Sequence, residues 1–287
     1  MEPDAGYRVS MARLGEGFLA ELFAREPLFA GTALFLSVLA AMAVIALYLD
    51  PRMLDGAGVW LKPLKFAVSL AVFLFTLAWF AAWLPQGVTD RGWYRAYALV
   101  VVVCIALEMI WIGGAAAFGQ RSHFNTDIAF LRAVYPVMGI VATCLLSICL
   151  LYGILILSDG QSPLSPALRH AVGLGLILSF LLTVVVAGQM AGAVPPPRLS
   201  WASAAGVEGW RATLLGWRPG AGDLRPAHFV ATHAMQALPL FGLLVERLAP
   251  APATAGATWT LLAVWGAALL YAGVVGHLFF QALAHAP

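Results

Sequence analysis

Charge is what this chain has least of: 10% of its 287 residues are Asp, Glu, Lys or Arg, where a soluble domain carries roughly a quarter. With 62% hydrophobic residues beside it, that scarcity excludes an ordinary soluble domain and assigns the chain to a bilayer. Lysine is rarer still, with Lys62 and Lys65 alone. The net charge of +2 comes from scattered basic residues, so nucleic acid is excluded as a partner. Three cysteines, Cys104, Cys144 and Cys149, lie in apolar runs without CxxC spacing and read as small buried residues. HExxH, GxSxG, a phosphate-cradling glycine loop and an EF-hand run are all missing, which leaves no metal ligand set and no catalytic residue to name. Residues 1–27 lack the pattern of a cleaved signal peptide, so the first apolar span is expected to serve for targeting.

What the chain has is long apolar runs. Crossing a hydrocarbon core about 30 Å thick takes on the order of 20 apolar helical residues. Seven stretches qualify, near 28–49, 65–84, 96–118, 131–157, 168–193, 227–248 and 257–284. Asp50-Pro51-Arg52, Pro85-Gln86-Gly87, Ser158-Asp159-Gly160 and Pro195-Pro196-Pro197 punctuate them. The expectation is an all-α membrane bundle of seven transmembrane helices (28–287), preceded by an amphipathic segment (1–27). In that segment Ser10 caps a helix with Met11, Leu14, Phe18 and Leu22 on one side. The helix lies in the interface or packs on the protein itself.

Seven spans sort the loops onto two faces. The N-terminus and the loops 85–95, 158–167 and 249–256 share side one; 50–64, 119–130, 194–226 and the C-terminus share side two. Seven basic residues on side one against nine on side two leave the positive-inside rule undecided. Because side one has the short plain basic loops, it is placed in the cytoplasm, with side two outside the cell or in the periplasm.

Side two collects three polar stretches: Trp60–Phe66 (WLKPLKF), Gly119–Asn125 (GQRSHFN) and Gly222–Gln236 (GDLRPAHFVATHAMQ). Lys62 and Lys65 open the second span around Pro63, either as a helix entry with snorkelling lysines or as a cationic site for a carboxylate, phosphate or propionate. Arg121, His123 and Asn125 form a polar turn or contact a ligand. Asp223, Arg225 and His228 lead into the sixth span. Between 194 and 226, Trp201, Trp210 and Trp217 suggest a lid on the membrane surface.

Polar residues inside spans are costly in lipid and tend to face the bundle interior. Glu108 lies about 15 Å below the side-two end of its helix, with Cys104 and Trp111 on the same stripe. His233 sits about 10 Å down with Gln236 facing the same way, and His277 and Gln189 reach comparable depths. Five residues separate His228 from His233, so they do not share a helical face. Tyr48 and Tyr271 mark packing or an interface.

Three functions follow from such a site. In the first, His233 and His277 supply two axial imidazoles to a haem b engaged in electron transfer, quinone being a fitting partner. Gly113, Gly114, Gly188, Gly192, Gly273 and Gly276 would admit the porphyrin, and Lys62, Lys65, Arg121 or Arg225 its propionates. In the second, Glu108 with His233 couples a proton or cation to a small solute, as transporter or sensor. In the third, His123, His228, Asp223 and Glu108 serve a metal-dependent membrane hydrolase or lipid-modifying enzyme. WLKPLKF, GQRSHFN and GDLRPAHFVATHAMQ together resemble the motif set of an uncharacterised group of bacterial multipass membrane proteins. The resemblance implies a multipass helical fold and transfers neither substrate nor residue roles.

Overall fold

The computed structural model describes residues 17–125, 127–192, 217, 222–248 and 254–284. It is a helical bundle. Helix α1 (Phe18–Arg25) turns at Glu26 into α2 (Pro27–Leu49). The Glu26 carboxylate accepts the Phe29 N–H, and Pro27 opens α2 where its missing N–H costs nothing. A two-stranded hairpin follows, β1 (Met53–Leu54) against β2 (Ala57–Gly58). Its turn residues Asp55 and Gly56 both have positive φ, 51° and 80°, the Asp-Gly chemistry of a tight hairpin turn.

Helix α3 (Leu61–Phe80) runs into a 3-10 turn, Ala81–Trp83. Helix α4 (Gly92–Ala117) returns to side two. Asn125 Oδ1 accepts the N–H groups of Asp127 and Ile128 at 3.0 Å and so starts α5 (Ala129–Ser158), while Ser165 caps α6 (Pro166–Gly192) through the Leu168 N–H. Asp223 receives the Arg225 N–H as α7 (Arg225–Thr232) begins. After His233 the chain resumes as α8 (Ala234–Leu248), and α9 (Thr254–Ala284) completes the bundle.

Six of these helices are long and apolar enough to cross a membrane, and α7 with α8, bent by 50° at His233, makes a seventh if taken as one broken span. Two helices contain an internal proline: α5 runs through Pro136 and α8 through Pro239. Phe29, Leu36, Leu74, Leu77, Ile105 and Ile148 fill the centre. Phe35, Met42 and Ile45 of α2 and Leu262, Leu269 and Phe280 of α9 point outward, as side chains dissolved in lipid do. The protein is a multipass, membrane-embedded helical bundle.

Without a hydrophobic drive between helices in lipid, close approach depends on small residues. A methyl built on Gly153 would lie 2.8 Å from the Gly173 carbonyl oxygen of α6, and one on Gly175 would lie 2.8 Å from the Ala234 carbonyl oxygen. The α5–α6 and α6–α8 contacts are therefore backbone to backbone.

Helix α1 is anchored to the bundle. Leu22 is buried, and Arg25 pairs with Glu21 at 2.8 Å, donates to the Trp79 carbonyl at 2.7 Å and stacks 3.8 Å from the Trp79 ring centroid. Phe18, Leu19 and Phe23 remain exposed. Ser10, Met11 and Leu14 lie outside the described residues. Packing at Gly175 predicts that Gly175→Ala costs about 1–3 kcal/mol, as overpacking does, whereas Gly188→Ala, in open space, is neutral or slightly stabilising; thermal unfolding in detergent reads both.

Candidate functional site

Two of the three polar stretches interlock. Arg52 donates to the Ala117 carbonyl at 2.9 Å and forks onto Asp50, which also accepts Trp60 Nε1 at 2.8 Å. Those donors hold the Asp50 carboxyl well below the usual carboxylate range. From the next loop, Arg121 grips Asp55 of the hairpin through two hydrogen bonds, one of 2.6 Å. Asp50, Arg52, Asp55 and Trp60 had no place in the sequence reading of the site, although Asp55-Gly56 was a legible hairpin signal.

Beneath these loops sits a buried polar group of residues. Glu108 is 4% exposed, on the inward stripe of α4. One turn toward side two, Trp111 Nε1 donates to the Ser122 carbonyl at 2.8 Å, which fixes the loop above the acid. Lys62, in the first turn of α3, acts electrostatically on both Glu108 and His123, with its ammonium 5.8 Å from the Phe66 ring centroid. Among the described residues neither Glu108 nor Lys62 has a direct side-chain hydrogen bond. They interact through charge and not through a hydrogen bond.

His123 roofs this pair. Its ring lies 6.2 Å from Phe66 and 5.3 Å from Tyr135, and Nδ1 is 3.1 Å from Ser122 Oγ. Burial, reinforced by the Lys62 charge, pulls the imidazole down to about 3, so it stays neutral and serves as a hydrogen-bonding group. Phe124 beside it holds a positive φ of 56°, a conformation that costs a non-glycine residue about 1–3 kcal/mol and persists only where surroundings enforce it.

The third stretch meets the others at its edge. The charges of Lys65 and Arg225 repel each other, and Arg225 is forked onto Asp223 at 2.7 and 2.8 Å. Gln236 Nε2 donates to Thr76 Oγ1 of α3 at 3.1 Å, and among the described residues neither Gln236 Oε1 nor His228 Nδ1, both buried, has a partner. At the bend the His233 N–H still reaches the Phe229 and Val230 oxygens, and side chains add to the backbone bonds: Tyr271 OH donates to the Val230 oxygen at 2.6 Å, Ser179 Oγ donates to the Thr232 oxygen at 2.8 Å, and His233 Nδ1 lies 2.7 Å from the Phe229 oxygen. The His233 ring packs 4.1 Å from the Phe229 ring.

Placement therefore divides the expected residues. Glu108, Lys62, His123 and Trp111 gather in one site; Asn125 and Asp223 begin helices, and Arg121 clamps the loops. His277 and Gln189 are exposed, so neither joins Glu108, and no contact among the described residues links His277 to His233. Most of the expected lid, 193–216 and 218–221, lies outside the described residues; Trp217 packs 5.2 Å from Phe229. Among the described residues no three His, Cys, Asp or Glu side chains are grouped to hold a metal ion.

His123 gives a pH dependence of known sign. Its folded value, about 3, lies below the ordinary 6.5, so the unfolded chain binds the extra proton and stability falls as pH drops from 6.5 toward 3. His123→Gln is expected to flatten this acid limb in melting curves taken across that range.

No family model, no curated protein and no solved structure matches the chain.

Proposed function

We propose that this protein is a proton-coupled membrane carrier or sensor for a small anionic solute, its proton held at Glu108 and its solute under the side-two loops. The supporting observation is the buried Glu108 within electrostatic reach of Lys62, with no hydrogen bond between them among the described residues. A charge in a span is expensive and marks ion or substrate pathways, and a carboxylate left without donors is ready to exchange a proton. Protonating Glu108 removes the counter-charge of Lys62 and frees its ammonium for an anion. The Lys65 charge, which repels Arg225 even with Arg225 forked onto Asp223, also favours negative charge at the mouth. The broken span supports the same reading, since carriers place such breaks beside their sites.

The resemblance noted from the sequence fits a bacterial cytoplasmic membrane, and the short basic loops of side one favour an N-terminus inside. The haem reading would need His233 and His277 to share one guest, and the exposure of His277 gives it no support; a Soret band in freshly purified protein, lost in His233→Ala, would restore it. A metal-dependent hydrolase has no ligand cluster among the described residues on which to rest.

Infrared difference spectroscopy during a pH titration tests the proposal. The expected result is a protonated-carboxyl band that titrates in the wild type and is missing in Glu108→Gln. Identical spectra from the two proteins would overturn it.

A further inference from the structure

The inward stripe of α4 does not stop at Glu108. Cys104, Tyr97 and Tyr94 continue it toward side one at intervals of three, four or seven residues, the repeat of a single helical face. Helix α5 runs antiparallel beside it and supplies a polar group at each level. Cys144 meets Cys104, which stands one turn from Glu108 on α4. Ser147 Oγ accepts from Tyr97 OH and donates to the Cys144 carbonyl at 2.5 Å. Cys149 lies within electrostatic reach of both Tyr97 and Tyr152, and Tyr152 OH is 2.6 Å from Tyr94 OH.

At the side-one end, both tyrosines feel the charge of Glu26, the 5% exposed carboxylate at the start of α2. Burial raises the Glu26 carboxyl above its ordinary value of 4.5 and the Phe29 N–H lowers it less, which brings its proton exchange closer to neutrality. The Tyr94–Tyr152 and Tyr97–Ser147 pairs and the Cys104 and Cys144 thiols thus lie in a row between a buried acid at one face and a buried acid near the other, over 14 residues of α4 between Tyr94 and Glu108, about 21 Å of helix.

Hydrophobic packing alone does not require this row. Tyr94, Tyr152 and Cys149 are 1%, 0% and 0% exposed, and Phe, Phe and Ala would fill a dry core without hydroxyls or thiols to satisfy. What distinguishes hydroxyl and thiol groups is that each can donate and accept a hydrogen bond, so each can pass a proton on while receiving another.

We infer that the α4–α5 seam is a proton path between side one, entered at Glu26, and the Glu108–Lys62–His123 site on side two. The inference rests on Glu108 being the proton site proposed above. One proton enters at the Glu26 carboxyl, each hydroxyl or thiol along the seam gives up its own proton as it takes the next, and one proton arrives on the Glu108 carboxylate. Release to side two passes the neutral His123 imidazole, which accepts at one nitrogen and donates at the other. No bond between heavy atoms forms or breaks and no electron moves. The ionisable groups facing the path are Glu26, the tyrosines and cysteines of α4 and α5, Glu108, Lys62 of α3 and His123.

The full chain, reconstituted in vesicles with a trapped pH dye and a potassium-diffusion potential, tests this without any solute. Wild-type vesicles are expected to acidify faster than lipid alone, and Tyr94→Phe or Ser147→Ala to slow that flux by about tenfold or more. Both variants keep their packing, so unchanged melting curves will show that they fold. Flux no greater than lipid alone, or flux unaltered in Tyr94→Phe and Ser147→Ala, overturns the path. If Glu108 titrates in the infrared and these variants conduct normally, the proton site stands and the path falls. If Glu108→Gln leaves both the infrared spectra and the flux unchanged, both fall.

Discussion

A carboxylate set deep in a membrane protein must be compensated by its surroundings, because its desolvation costs several kcal/mol. Glu108 meets this constraint with a facing ammonium, and much of the side-two architecture serves to hold that ammonium in place. Lys62 stands at the opening of α3, and the residues just before it are fixed by Trp60 on Asp50 and by the hairpin. Arg121 carries the same restraint to the loop over His123 through Asp55, and Trp111 ties that loop back to the helix carrying the acid. The ring of contacts is closed: acid, base and roof are each set by a residue that belongs to one of the others' segments.

The backbone obeys a parallel constraint. In hydrocarbon an unpaired carbonyl costs several kcal/mol, so a span may break only where neighbours supply donors. At His233 they come from both sides, Ser179 from α6 and Tyr271 from α9, while Gly175 lets α6 approach close enough to deliver the first of them. The bend is built by three helices.

Much of this was legible from residue order. Apolar runs fixed the spans to within a few residues, and loop parity put WLKPLKF, GQRSHFN and GDLRPAHF on one side, where the first two lock together. Glu108 stood out because no other acid lies so deep in a span. The break at His233 was not legible, since the local sequence VATHAMQ has neither glycine nor proline and the donors that permit it are 53 and 41 residues away from the carbonyls they serve. The azimuth of α9 was equally hidden: a helix apolar on nearly every side gives no pattern from which to tell inward from outward, so equal depth for His277 and His233 did not imply a common direction. Nothing in the residue order marked Tyr94 and Tyr152, because only the packing of α4 on α5 brings their hydroxyls together.

Helix α9 has one more consequence. Its apolar stretch, Thr258–Ala284, has 27 residues, about 40 Å of helix against hydrocarbon about 30 Å thick. Such an excess is absorbed by leaning or by stretching the surrounding lipid tails. Val264, Ala268, Tyr271 and Val275 hold the helix along one side only, so changes in bilayer thickness load that side, and Tyr271 passes the load to the Val230 carbonyl.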